Sequence, residues 1–300
     1  MDTFRVTEAD LRGIENKVVV VTGGSSGIGL ATVKLLDSVS NTNRFIIIDR
    51  TPPPSDLGIP SERLFFHKTE ITSWVQQRAA FEGGYAKFGQ IDAVFANAGI
   101  AEHEDQFFTD KYDNNGRLAE PDRRVLNIDM DAFCDTVKLA VHFMRKSKSG
   151  GSIICTASLA GYLASAGAPL YSAAKHGVVG LMRAMKQETA KLNIAISVVA
   201  PAITVTPILR QNREDGGSEE VLAQGFSKAG VPINKAESIA LAVGHLIKQG
   251  RQGNGAGIFV QADRMVDLER GLAKSREIWM SKEMLDLFRG GREAPLFSRI

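Results

Sequence analysis

The stretch Val18-Val19-Val20-Val21-Thr22-Gly23-Gly24-Ser25-Ser26-Gly27-Ile28-Gly29 decides the fold. Four consecutive valines without polar alternation predict a strand buried on both faces. A glycine-rich turn follows directly, and residues 30–36 then return to helical apolar spacing. Strand, glycine turn and helix in that order predict a pyrophosphate cradle. Glycines 23, 27 and 29 let the backbone come close to a ligand, and the free N–H groups of the helix start aim partial positive charge at it. Ser25, Ser26 and Ile28 lie in the same turn and are cofactor-binding candidates with those glycines.

Outward from this turn, a second β-branched run ends at Asp49, twenty residues beyond Gly29. An acid at that place can accept hydrogen bonds from the adenosine ribose hydroxyls, which favours NAD. It would also repel a 2′-phosphate. Arg50 beside it could bind that phosphate or be a solvated surface arginine, so NADP stays as the alternative cofactor.

Further short apolar runs at residues 64–66, 93–95, 153–155, 194–199 and 258–260 join those at 18–21 and 45–48, separated by helix-period segments. The alternation predicts a doubly wound α/β fold: a single domain over 1–300, with a seven-stranded parallel Rossmann sheet and helices on both faces. Three stretches interrupt the rhythm. Residues 51–60 hold four prolines, 101–121 are long and polar around Asn114-Asn115-Gly116, and 207–232 contain Gly216-Gly217. The third is expected to be a substrate lid, with a helix over 218–228. Residues 265–287 read as one or two terminal helices within a helical tail over 265–300.

The balance of charge excludes some partners. A net charge of +2, with basic residues interspersed among acidic ones, gives no footprint for nucleic acid or an anionic membrane. The cysteines, Cys134 and Cys155, sit in core-like runs, and the five histidines are far apart, so no metal site is expected. No stretch approaches the length of a membrane span, and the first seventeen residues lack the apolar core of a signal peptide, which makes the cytoplasm the expected location.

Tyr171 and Lys175 stand four residues apart, on one face of a predicted helix, and Ser158 precedes Tyr171 by thirteen residues at the end of the fifth strand. A phenol is a poor base at neutral pH, so a tyrosine that exchanges a proton with a substrate hydroxyl needs positive charge beside it. The Lys175 ammonium can provide that charge, and Ser158 can hold the substrate oxygen. Taken alone, the pair would read as a half-buried aromatic and a solvated helix lysine.

The TGxxxGxG turn, Asn97-Ala98-Gly99, and Tyr171-Ser172-Ala173-Ala174-Lys175 in this order and spacing resemble the short-chain dehydrogenase/reductase family over residues 17–262. The resemblance implies that Asn127, Ser158, Tyr171 and Lys175 form the catalytic set, with Asn127 anchoring a water that relays protons from Lys175. It also implies cofactor contacts from Glu70 and Ile71 near the adenine, from Asn97, Ala98 and Gly99 along the ribose, and from Pro201, Ile203 and Thr206 at the nicotinamide. The family pattern departs at three positions: Ala202 and Met130 stand where glycine is usual, and Glu70 where aspartate is.

Residues 116–145 and 257–271 are similar to the 15-hydroxyprostaglandin-dehydrogenase-like branch common in fungi. That likeness implies NAD-dependent oxidation of a secondary alcohol to a ketone, on an apolar small molecule such as a secondary metabolite. Leu159, Tyr162, Leu163, Ile208 and Leu209 are expected to give the site an apolar wall or to serve as ordinary packing. Two alternatives remain: a ketone or imine reductase, and a protein that binds NAD without catalysis. Relatives pair the helices expected over 122–146 and 169–192 across a two-fold axis, which implies a homodimer or homotetramer.

Overall fold

The computed structural model describes residues 3–147, 149–210 and 219–292. Its centre is one sheet built from β1 (Val18–Thr22), β2 (Arg44–Asp49), β3 (Leu64–Lys68), β4 (Ala93–Ala96), β5 (Gly151–Thr156), β6 (Ile194–Pro201), β7 (Gly257–Gln261) and β8 (Arg264–Asp267). The order across the sheet is β3-β2-β1-β4-β5-β6-β7-β8. All neighbours from β3 to β7 are parallel, and β8 runs antiparallel to β7.

The expected seven strands are therefore eight: Arg264–Asp267 forms the extra edge strand, where a helix was expected from residue 265. The turn that produces it, Ala262-Asp263, has both residues at positive φ (48° and 57°). It joins the directly paired Gln261 and Arg264. Phe4 and Met265 exchange both backbone hydrogen bonds on the far side of β8, at 2.9 and 3.0 Å, so the N-terminal segment covers this edge.

Strand pleating sorts the valines of β1 between two cores. Val18 and Val20 enter one with Ile46, Phe81 and Val178; Val19 and Val21 enter the other with Phe45, Val33 and Val243. The first core lies under α2 (Trp74–Phe88), α4 (Ala132–Met144) and α5 (Pro169–Lys191); a short turn, α3 (Arg124–Leu126), and a π turn over Asn127–Asp131 lead into α4. The second lies under α1 (Gly27–Val39) and α7 (Ala236–Gln249). With both faces covered, every residue of β1 is buried, and each such aliphatic side chain stabilises the fold by about 1.5–3 kcal/mol.

Local signals set the helix ends. Ser73 caps α2 by accepting from the Gln76 N–H, Gly89 ends it in the left-handed conformation, and Pro169 occupies the first turn of α5. Between β6 and α7 lie the 3-10 turn Pro207–Arg210 and α6 (Glu219–Lys228); the middle of the expected lid, 211–218, falls outside the described residues. After β8 come α8 (Leu268–Lys274), α9 (Arg276–Met280) and α10 (Lys282–Arg292), three helices rather than one or two. The end of the tail, 293–300, is outside the described residues. Among the described residues no helix is long and apolar enough to cross a membrane.

Candidate active site

The order of the sheet reverses beside β1, where β2 lies on one side and β4 on the other. Crossovers from neighbouring strands diverge there and leave a crevice at the carboxyl ends, the usual ligand site of such sheets. A cleft of about 550 Å³ lies at this end, lined by the glycine turn, the segments following β4, β5 and β6, and the start of α5.

On the glycine-turn side, Gly23, Ser26, Gly27 and Ile28 line the cleft. Gly29 lies beneath, where a Cβ would collide with the Gly23 carbonyl oxygen, so only glycine lets the helix start fold back on the turn. Ser26 caps α1 in extended conformation, and the helix ladder begins with the Leu30 N–H on the Ser26 carbonyl, leaving the N–H groups of residues 27–29 for a ligand. A cradle of glycines and free donors fits the pyrophosphate of a dinucleotide. Thr206 stands over Gly27, its Cβ 3.4 Å from where a Gly27 Cβ would be, so the turn and the segment after β6 bound the cleft from opposite sides.

Asp49 sits at the end of β2 as expected, but its carboxylate holds the turn together: Oδ2 accepts from the Ser25 N–H at 3.0 Å and Oδ1 from the Thr51 N–H at 3.2 Å. Ser25 Oγ in turn donates to the Thr51 carbonyl at 2.7 Å. Arg50 and Glu70 are exposed, and Ile71 packs partly against the first core. None of Ser25, Gly29, Asp49, Arg50, Glu70 and Ile71 lines the cleft itself.

Asn97, Ala98 and Gly99 follow β4 and do line it. Asn97 also stitches strand ends together: its amide donates to the Thr22 carbonyl at 3.2 Å, and its Oδ1 accepts from the Thr156 hydroxyl at 3.1 Å. The Lys175 ammonium donates to the Thr156 carbonyl at 3.0 Å. A polar chain thus runs from Lys175 through Thr156 and Asn97 to the first residue of the glycine turn.

Ser158, Tyr171 and Lys175 all border the cleft. Ser158 caps a short 3-10 turn, accepting from the Ala160 N–H at 3.2 Å, and its hydroxyl lies 3.4 Å from the Pro201 carbonyl. Lys175 Nζ sits 5.4 Å from the centre of the Tyr171 ring. Burial works against the Lys175 charge, yet the Asp129 carboxylate beside it opposes burial by charge and by hydrogen bond, and the Lys175 pKa lies above the ordinary lysine value. Glu102, buried after β4, accepts from the Tyr171 N–H at 2.8 Å and so caps a free donor at the start of α5. Pro201, Ile203 and Thr206 line the side beyond β6 with Ala202.

The structure corrects two expectations here. Asn127 is exposed and does not border the cleft; two residues further on the π turn, Asp129 faces Lys175, with its Oδ2 3.0 Å from Nζ. Asn127 was implied by the family resemblance; the π turn, with more than four residues per turn, brings Asp129 inward and leaves Asn127 facing out. The apolar wall is also different. Ile208 and Leu209 line the cleft, while Leu159, Tyr162 and Leu163 do not. Tyr162 turns its hydroxyl toward Gly257 and Glu269, and Leu163 is exposed. Residues 165–168 take their place. Asp129 and Glu102 are the charged cleft residues that sequence reasoning missed.

A family profile described as short chain dehydrogenase matches residues 17–217. The short-chain dehydrogenase/reductase prx4 of Penicillium rubens is 34% identical, over 96% of this chain and 87% of its own. The short-chain dehydrogenase/reductase ATR7 of Stachybotrys chlorohalonatus is 30% identical, over 96% of this chain and 92% of its own. Among solved structures, the 3-ketoacyl-(acyl-carrier-protein) reductase of Brucella melitensis complexed with NADH superposes with a TM-score of 0.69 at 20% identity, covering 83% of this chain and 98% of that one, a likeness of fold.

Proposed function

The chain belongs to the short-chain dehydrogenase/reductase family and is an NAD(P)-dependent oxidoreductase of CH–OH or carbonyl groups; from that premise we infer that it oxidises a secondary alcohol to a ketone with NAD. The observation that carries this reading is the convergence of Ser158, Tyr171 and Lys175 on the same cleft as the glycine turn. A bound nicotinamide dinucleotide supplies the hydride acceptor.

The chain's own residues do the rest. Ser158 Oγ holds the substrate oxygen by a hydrogen bond and fixes the carbinol carbon. Tyr171 accepts the hydroxyl proton as hydride leaves, and Lys175 stabilises the resulting phenolate by its charge. Asp49 supports NAD over NADP, because a 2′-phosphate near its carboxylate meets like charge.

The substrate is a largely apolar small molecule, such as a secondary metabolite. Ile203, Ile208 and Leu209 supply apolar surface at the cleft, and the segment that begins at Pro207 serves as its lid. The working form is a homodimer or homotetramer through the faces of α4 and α5, in the cytoplasm. Sedimentation velocity at a multiple of the 32.5 kDa chain mass is the expected result, and a monomer would contradict it.

The experiment is an alcohol panel followed by NADH absorbance, with Tyr171→Phe alongside. The variant is expected to bind NADH as the parent does and to lose at least about a hundredfold in turnover, the usual contribution of a positioned general base. A Tyr171→Phe enzyme with near-parental rates would remove the mechanism.

A further inference from the structure

The ion pair between Asp129 and Lys175 is buried on both sides and lies within the catalytic cleft. It is a built contact. Asp129 Oδ1 accepts from the Ile100 N–H at 2.8 Å, which fixes the carboxylate plane, and Oδ2 faces the ammonium. Gly99 makes the approach possible, since a Cβ there would lie 3.0 Å from Oδ2. Three elements therefore converge on one carboxylate: the π turn that carries it, the segment after β4 that orients it, and α5 that neutralises it.

We propose that Asp129 is a positioning residue that sets the proton balance of the site by cancelling the Lys175 charge, so that Tyr171 is held as the proton-bearing partner at neutral pH. With Tyr171 protonated, the Tyr171–Lys175–Asp129 trio has no net charge. Loss of the Tyr171 proton leaves the trio with a net negative charge, and the repulsion from the buried Asp129 carboxylate makes that step unfavourable. With a neutral amide at position 129, the same step would run from a positive trio to a neutral one and would be easier. Oxidation, which needs the phenolate, is then expected to rise on the alkaline side, while proton donation to a carbonyl proceeds at neutral pH.

Other ionisable groups near the trio are the same in every variant and do not change the comparison. Cys155 on β5 is within electrostatic reach of Lys175, and burial pushes its thiol up, so it stays uncharged. Glu102, from the segment after β4, meets the backbone of Tyr171.

The inference rests on the proposed hydride transfer only for its kinetic arm, so two readouts are used. In the first, the pH profile of oxidation is measured for the parent and Asp129→Asn. The rising limb is expected to move to lower pH by about one pH unit, the order expected from removing one charge within about 10 Å at an effective dielectric of about 20. In the second, tyrosinate ultraviolet absorbance is titrated without substrate, and subtraction of the Tyr171→Phe trace isolates Tyr171. Its step is expected to shift in the same direction by a similar amount. A limb and step that stay in place, or move to higher pH, overturn the proposal. Failure of turnover with every alcohol, together with the expected titration shift, would instead count against the hydride-transfer reading alone.

Should Asp129→Asn fail to fold with Lys175 unpaired, Lys175→Met is compared with Lys175→Met/Asp129→Asn, both without a buried cation. The Tyr171 step is expected about one pH unit lower in the double variant. Equal steps in the two proteins overturn the proposal.

Discussion

Single atoms decide the nucleotide end of the cleft. Adding a Cβ at Gly29 forces it onto the Gly23 carbonyl, and overpacking of that kind costs about 1–3 kcal/mol. Gly29→Ala is expected to weaken NADH binding by tenfold or more, measured by fluorescence titration. That Tyr171 and Lys175 border one cleft with Ser158 was legible in the sequence, because an i, i+4 pair shares a helix face and Ser158 follows the fifth strand. Asp129 was not. The register of a π turn cannot be read from regular spacing, and the family resemblance pointed to Asn127 instead. A signal was present: an acid between Ile128 and Met130, close to an apolar run, needs a buried cation.

At the scale of elements, seven strands were legible because each is a short run of apolar residues without alternation. β8 escaped for a reason of turn chemistry. Two-residue hairpins with both residues at positive φ usually carry Asn-Gly or Asp-Gly, and here the pair is Ala262-Asp263. Alanine in that region carries strain of about 1 kcal/mol or slightly more. Ala262→Asn is accordingly expected to raise the unfolding midpoint, by an amount readable in a thermal melt, while a fall would show that the hairpin tolerates alanine without strain.

Helix α7 supplies a pH-dependent element. Burial holds the His245 pKa below its ordinary value of 6.5, outweighing the opposing Asp10 carboxylate, with the Lys248 charge adding to the depression. The unfolded chain therefore takes up this proton at a higher pH than the folded one. The contribution to stability is complete above the unfolded value and is lost as pH falls through the folded value. Urea midpoints are expected to fall between neutral and mildly acidic pH, with a shallower fall in His245→Gln.

For the whole molecule, the alternation of strand and helix foretold two covered faces, and the two cores on either side of β1 are its physical form. The position of the crevice comes from sheet order, which periodicity along a chain does not encode; only the glycine turn pointed to it. A dinucleotide that binds the native state alone stabilises it by about 2.7 kcal/mol at a hundred times its Kd. NADH is expected to raise the melting temperature by several degrees and NADPH by less at equal concentration. The reverse order would mean that Asp49 does not discriminate against a 2′-phosphate.

The bridge between Phe4 and Met265 bears on handling the protein. A last strand with unpaired N–H and C=O groups invites another chain to add to it, and here a few residues far away in sequence occupy part of that rail. Trimming residues 1–6, or fusing a bulky tag that draws Phe4 away, would uncover β8 and favour intermolecular strand addition and precipitation.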